Sequence, residues 1–443
     1  MKILVINGSP KAEYSVTLHT SLFLQQKFTE HNFELLNVGR YIKSFERDMS
    51  EAITKIESSD LIVFSYPVYT FIAPSQLHRF IELLKEYNVS LKDKFVTQIT
   101  TSKHFYDVTA HNYIEDNCHD LGGKVIKGLS ADMEDLITPK GQEEAISFFK
   151  FVLHSVENDL YEPHPVKKDF VAKEYVKSID NVDKDQSKEV VMVVDLADDD
   201  INLGNMIEDF KAALKYPVRI VNIREFKFFG GCIGCFNCAG SGKCIYKDGF
   251  DTFLRNEIQG GNAIVIAFTI KDHSMGARFK MYDDRQFCNG HRTVTEGMPF
   301  AYLINGDYES EHNLKTIVEA RAEVGHNYLA GVGLDKESII KTAKKLEYAM
   351  ENNYVLPRNF YGVGGMKIFR DLIWVMRGIM KADHVFYKKN GVYDFPQKQR
   401  GRMILMCLLG SLIRNPKINK KMGNKFNEGM IAPYKKVLNK KNK

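Results

Sequence analysis

Met1-Lys2-Ile3-Leu4-Val5-Ile6-Asn7-Gly8-Ser9-Pro10-Lys11, followed by Ser15-Val16-Thr17, decides the fold. A short β-branched apolar run stops at glycine, serine and proline, and a helical pattern begins within a few residues, so a buried strand turns directly into a helix. The same step recurs down the chain. Lys2–Ile6, Phe33–Val38, Leu61–Ser65, Phe95–Ile99 and Val125–Gly128 read as five buried strands. Amphipathic stretches near Ser15–Phe28, Glu51–Ser58, Pro74–Tyr87, Thr109–Leu121 and Gly141–Leu153 separate them. Such alternation builds a parallel sheet with helices on both faces, and residues 1–155 are predicted to form one doubly wound α/β domain.

With 443 residues the chain exceeds one ordinary core, and the alternation indeed restarts. Strands are expected at Val190–Val194, Val218–Ile223, Ala263–Phe268, Pro299–Ile304 and Leu329–Val332, giving a second domain over 189–336 that reads as a diverged copy of the first. The likeness is clearest between Ser59-Asp60-Leu61-Ile62-Val63-Phe64-Ser65-Tyr66 and Gly261-Asn262-Ala263-Ile264-Val265-Ile266-Ala267-Phe268. Between the domains, 156–188 is charged, carries Pro163 and Pro165 and lacks a sustained apolar period, as a linker or surface arm does. Residues 337–443 read as a helical, basic extension, with Met366, Phe369, Leu372, Ile373, Met376, Ile379 and Met380 at helical spacing.

From Arg414 onward ten Lys or Arg stand against one acid, Glu428, a net charge of +9 that leaves −4 for the remainder of a +5 chain. A solvated end is the simplest reading of that tail, and no aromatic-interleaved basic motif points to nucleic acid. The longest late apolar run, Met403–Ile413, falls short of the roughly 20 residues of a membrane span. No signal-peptide pattern opens the sequence, so a cytoplasmic location is expected.

Three loops at the carboxyl edge of the first sheet carry ligand chemistry, where open α/β sheets bind their ligands. In the first, Gly8 permits close backbone approach, Pro10 turns the chain, Lys11 offers charge, and the hydroxyls of Ser9, Ser15 and Thr17 join the free N–H groups of a helix start, which suits phosphate. In the second, Tyr66-Pro67-Val68-Tyr69-Thr70-Phe71 sets rigid backbone and two aromatic rings where a flat ring could lie. In the third, Thr100-Thr101-Ser102-Lys103-His104 supplies donors for ring heteroatoms, Thr101 and Ser102 foremost. One ligand bridging three loops is the simplest account.

On residues 8–17 and 67–69 the chain resembles the NADPH-dependent FMN reductase and flavodoxin-like quinone reductase group, with its Gly-Ser-Pro-basic loop, Ser-x-Thr, and Pro-x-Tyr after strand three. The resemblance covers about the first 150 residues of the chain, the size of one ordinary domain. It implies a flavodoxin-like sheet of order 2-1-3-4-5 in each domain, FMN with its phosphate on Ser9, Ser15 and Thr17 and its ring on Pro67–Phe71, NAD(P)H as donor, and a homodimer formed across the flavin edge.

Cys232, Cys235, Cys238 and Cys244 form C-x2-C-x2-C-x5-C within a glycine-rich run. Overlapping spacing lets one loop surround a cubane, each thiolate meeting a different iron, whereas zinc ribbons separate their knuckles by a dozen or more residues, as a rough rule. A [4Fe–4S] cluster, a metal-free thiol loop and zinc all stay open at this point. The motif is similar to that of the iron–sulfur flavoproteins, where it also follows strand two. The second domain lacks a phosphate loop, having Asp195-Leu196-Ala197-Asp198-Asp199-Asp200 there, and Thr269-Ile270-Lys271-Asp272-His273 replaces the aromatic proline turn, so one flavin per chain is expected. Cys118, Cys288 and Cys407 are read as bystanders, and His273, Arg285 and His291 receive no role.

These readings point to an NAD(P)H-dependent oxidoreductase passing electrons through FMN and the cluster to a small-molecule or redox-protein acceptor. An FMN-only quinone or flavin reductase, and a non-catalytic flavin-binding electron-transfer scaffold, are the alternatives. With the flavin in the first domain and the cysteines in the second, the two sites are expected to be lost independently.

Overall fold

In the first third of the chain the order of elements is β1 (Lys2–Asn7), α1 (Val16–Lys27), β2 (Asn32–Leu36), α2 (Val38–Phe45), α3 (Ser50–Ser58), β3 (Leu61–Pro67), α4 (Ser75–Glu86), β4 (Phe95–Ser102), α5 (Asp107–Asp120), β5 (Lys124–Val125), β6 (Leu129–Asp132) and α6 (Pro139–Glu157). All pairings are parallel, in the order β2-β1-β3-β4-β5, with β6 also on β4. The predicted fifth strand is thus split in two. Gly128 packs so closely on Gln98 that a Cβ there would overlap it, and the chain steps out of the ladder between Val125 and Leu129. The sequence pattern also passed over α2.

This computed structural model describes residues 1–165, 170, 174–414, 428–429, 431–435 and 438. The second sheet uses β7 (Val190–Val194), β8 (Val218–Asn222), β9 (Ala263–Thr269), β10 (Phe300–Asn305) and β11 (Leu329–Gly333). Its order, β8-β7-β9-β10-β11, is again 2-1-3-4-5. The helices of this half are α7 (Ile201–Ala213), α8 (Asn237–Ser241), α9 (Phe250–Phe253), α10 (Gly276–Arg285), α11 (His312–Gly325) and α12 (Lys336–Asn352). Beyond it come α13 (Phe360–Val375), α14 (Lys381–Lys389) and α15 (Arg400–Ile413). The apolar stripe that starts at Met366 lies on α13 as far as Val375. Most of the basic tail after Arg414 lies outside the described residues.

Two compact units result, Met1–Phe386 and Tyr387–Lys443, and both sheets belong to the first. Side chains alternate across each strand, so each sheet has two apolar faces to cover. On the outer face of the first sheet, Ile3 and Val5 pack with Leu18 and Leu24 of α1 and Ala145 and Phe149 of α6. On the outer face of the second, Val190 and Met192 pack with Phe210 of α7 and Leu346 of α12. The inner faces share one core. Leu4, Ile62 and Phe64 join Phe80 of α4 and Tyr113 of α5, and continue into Phe279 of α10, Ile317 of α11 and Ile264 and Phe268 of β9. Each buried aromatic such as Phe80 or Phe279 contributes about 1.5–3 kcal/mol to this shared core.

The halves meet through reciprocal caps. Ser75 N at the start of α4 donates to Asp284 Oδ2 near the end of α10 (2.8 Å), and Ala277 N near the start of α10 donates to Glu82 Oε1 of α4 (2.7 Å). Ser75 corresponds to Ala277 and Glu82 to Asp284, a constant spacing of 202 residues (277 − 75). The same spacing relates the turn closed by Tyr69 and Ile72 to that closed by Lys271 and Ser274. The two sheets thus share one strand order, and equivalent positions of the two halves meet reciprocally. In the connecting arm, Ser178 and Ile179 N–H groups bind the buried Asp209 carboxylate, which ties the segment to α7.

Candidate functional site

At the carboxyl end of β1, buried Asn7 shapes the first loop. Its Oδ1 accepts from Ser9 N (3.1 Å) while its Nδ2 donates to Ala12 O (3.3 Å) and Asn37 Oδ1 (2.8 Å). Ser15 caps α1 by accepting from Leu18 N (3.4 Å), and the remaining first-turn N–H groups have no acceptor within the helix. Thr17 Oγ1 and Thr101 Oγ1 share a hydrogen bond of 2.6 Å, joining the loops after β1 and β4.

The turn after β3 is strained. Thr70 (φ 45°) and Phe71 (φ 72°) both occupy the left-handed region without being glycine, a cost of about 1–3 kcal/mol each that only a surrounding structure can hold. Part of that structure comes from the second domain. Lys280, with no exposed surface, donates to Tyr69 O (2.9 Å) and Thr70 O (3.4 Å) and pairs with Asp284 (2.6 Å), which also accepts from Thr70 Oγ1 (3.1 Å). Phe71 O accepts from Thr109 Oγ1. Burial pushes the Tyr69 phenol well up, reinforced by Cys232 and Asp284, so it stays protonated.

Opposite this edge lies the cysteine loop. Gly231 sits so tightly on Ser75 and Gln76 that a Cβ would overlap them, and Gln76 Nε2 donates to Cys232 O (3.2 Å). Gly234 (φ +61°) packs on Tyr69 Oη and Lys11. The Lys11 ammonium stands 5.2 Å from the Phe236 ring centroid, and burial lowers its pKa against the opposing pull of Cys235 and Cys232. Arg285 ties down both ends of the loop. It donates to Gly230 O (2.9 Å), binds Asp248 through two bonds (2.8 and 2.7 Å) and lies against Tyr246 and Phe250. Gly234 N donates to Cys232 Sγ (3.4 Å).

These walls enclose one cavity of about 230 Å³. Of the predicted flavin residues, Ser9, Lys11, Ser15, Thr17, Pro67, Val68, Tyr69, Thr70, Thr101 and Ser102 line it. Three others do not. Gly8 is turned onto Leu77, Pro10 borders a neighbouring hollow, and Phe71 is buried against Phe105 and Tyr106. Cys232, Cys235, Cys238 and Cys244 line the same cavity, so the flavin and cysteine positions, expected to lie apart, share one space. Cys288, read as a bystander, lines it as well, as do Arg285, His291 and the apolar Phe105, Phe287, Ile368, Phe369 and Leu372. The last three sit on α13, and Phe369 and Leu372 belong to the stripe whose apolar period was visible but whose destination was not.

No Asp or Glu lines the cavity among the described residues, so hydroxyls, helix N–H groups and Lys11 face an anion without opposition. The donors fit the phosphate of FMN. Burial raises the Cys238 thiol to about 11, helped by Cys235 and Cys244, and burial likewise pushes Cys232 up. Among the described residues no group of three or more His, Cys, Asp or Glu donors is gathered as metal ligands.

Residues 1–129 match the family model of the NADPH-dependent FMN reductases. That match supports an NAD(P)H-dependent oxidoreductase. Solved structures similar to part of the chain include an apo NADH:FMN oxidoreductase (18% identity, 34% of this chain and 89% of that one, TM-score 0.30). Another is an FMN-dependent NADH-azoreductase from Bacillus anthracis in complex with FMN (16% identity, 36% and 100%, TM-score 0.29). A third is an NAD(P)H:quinone oxidoreductase from Methanothermobacter marburgensis (12% identity, 38% and 99%, TM-score 0.28). No curated protein sequence matches the chain.

The equivalent edge of the second sheet is built otherwise. Asp200 caps α7 by accepting from Leu203 N (3.2 Å), and Asp195 pairs with Arg224 (2.6 Å). In the turn that copies Tyr69–Ile72, His273 binds Asp120 of α5 and Glu311 at 2.9 Å each. Asp195, Asp200 and His273 thus all engage partners within the protein.

Proposed function

We propose that the chain is an NAD(P)H-dependent oxidoreductase that holds FMN in the cavity between its two halves, with a [4Fe–4S] cluster on Cys232, Cys235, Cys238 and Cys244, and serves a small-molecule or redox-protein acceptor. One observation carries this reading: phosphate-loop donors, the strained aromatic turn and four thiols line the same cavity. When bound, FMN supplies hydride acceptance and one-electron release, and the cluster supplies one-electron carriage.

The chain's residues bind, orient and exclude. Ser9, Ser15, Thr17 and Lys11 hold the phosphate, Pro67–Thr70 flank the ring, and Thr101 and Ser102 bond its polar edge. Ile368, Phe369 and Leu372 close the apolar side against water, which strengthens every polar contact inside. Arg285 and Gln76 fix the cysteine loop beside the flavin turn. On this reading the covering role that the resemblance gives to a homodimer partner falls to the second domain.

The raised Cys232 and Cys238 thiols favour a second reading, FMN alone beside a metal-free cysteine loop. Anaerobic purification followed by flavin, iron and acid-labile sulfide analysis separates the two. Ser9→Asp is expected to release FMN, because a carboxylate would face the phosphate. Cys235→Ala is expected to remove iron and sulfide and also to shift the flavin absorbance bands, since the cavity is shared. Wild-type protein that stays free of iron after anaerobic reconstitution, yet is reduced by NAD(P)H, would establish the FMN-only reading.

A further inference from the structure

Helix α15, Arg400–Ile413, reads RGRMILMCLLGSLI. Successive residues of a helix point about 100° apart, so the consecutive Met403, Ile404, Leu405 and Met406 reach every side of it. All four are exposed, by 51 to 62%, and Leu408 (61%) and Leu412 (51%) repeat the pattern a turn or two later. An all-round apolar helix is stable only when surrounded, by a protein core or by lipid. Contiguous apolar surface of this kind is not left to water without a use.

Charge selects the surrounding. Arg400 and Arg402 precede the apolar run, Arg414 follows it, and Lys417, Lys420, Lys421 and Lys425 come next in the sequence, with no acid among them. At about 1.5 Å per residue the helix is too short to cross a hydrocarbon layer roughly 30 Å thick, and no described helix is long and apolar enough to do so. Cations at both ends hold both ends at phosphate level, so the helix lies in the plane of the surface.

We propose that α15 docks this chain on an anionic membrane surface, its apolar body at the acyl boundary and its flanking arginines and lysines on lipid phosphates. The proposal is independent of the flavin reading. It is tested by sedimenting the full chain with vesicles of phosphatidylcholine alone or with added phosphatidylglycerol. The chain is expected to pellet with the mixed vesicles, and its affinity to fall roughly tenfold or more with phosphatidylcholine alone or in the Arg400→Gln/Arg402→Gln variant. Leu405→Asp/Leu408→Asp should stay in the supernatant, while its oxidation of NAD(P)H in solution equals that of the wild type, which shows that it is folded. Wild-type protein left in solution beside anionic vesicles, or equal binding to both vesicle types, would overturn the proposal. So would a wild-type dimer that the double aspartate variant dissociates, since a second copy would then be the occupant.

Discussion

At position 280 a lysine without exposed surface stands between two acids, Asp283 and Asp284, and reaches into the other half of the molecule to hold Tyr69 and Thr70 by their carbonyls. Burial raises the Asp284 carboxyl against the opposing pull of the Lys280 ammonium. Lys280→Met should therefore cost about 3–5 kcal/mol in urea unfolding, because it strands a buried charge. It should also weaken FMN retention by relaxing the strained turn, which flavin released on dialysis would reveal; full retention would separate Lys280 from the site. His273 gives a pH signature. Burial lowers its pKa, but the bonds to Asp120 and Glu311 outweigh this and raise it to about 10. Asp116 and Lys85 also face this cluster. A pKa raised in the folded state means stability that is complete below the usual value of 6.5 and is lost as pH climbs toward 10. Unfolding free energy should thus decline between those limits, by on the order of 2–4 kcal/mol after allowance for partial exposure, and His273→Gln should flatten the decline.

Among the elements, the cysteine loop and the flavin turn are fitted to each other across the domain boundary. Gly234 is a glycine for two reasons: its φ of +61° is left-handed, and a Cβ would overlap Tyr69 Oη. Gly234→Ala should cost about 1 kcal/mol or more in backbone strain and push the loop off the cavity wall. Flavin affinity, measured by fluorescence quenching, is expected to fall about tenfold, the equivalent of 1.4 kcal/mol. Unchanged affinity would mean that the loop does not shape the flavin pocket. Helix α13 reaches the cavity by a similar device, since Gly362 and Gly365 let it lie close on Glu323 and Val324 of α11.

For the whole molecule, the duplication makes one chain its own partner. The inner faces of both sheets are already buried in a shared core, and α4 and α10 already cap each other. The edge that the resemblance would use for a homodimer is filled from within. Sedimentation equilibrium in the absence of lipid should accordingly give the monomer mass of 50.8 kDa. A stable dimer would show that the second domain does not replace a partner.

Much of this was legible in order along the chain. Five apolar runs alternating with helical stretches, twice over, settle two parallel sheets, because strands buried on both faces leave a continuous β-branched pattern. Hydroxyls and a lysine after β1 mark an anion loop for the same local reason, and Ser9, Lys11, Ser15 and Thr17 do line the cavity. The spacing of Cys232 to Cys244 marks a compact loop, and all four cysteines do line the same cavity. What the pattern did not hold was any contact between residues far apart in sequence. That Lys280 braces Tyr69 and that Arg285 anchors the cysteine loop follow from packing one half on the other, and that Phe369 lines the cavity follows from packing α13 on α11. Side-chain periodicity reports which face of an element is covered but not what covers it, so the shared cavity exists only in the tertiary structure.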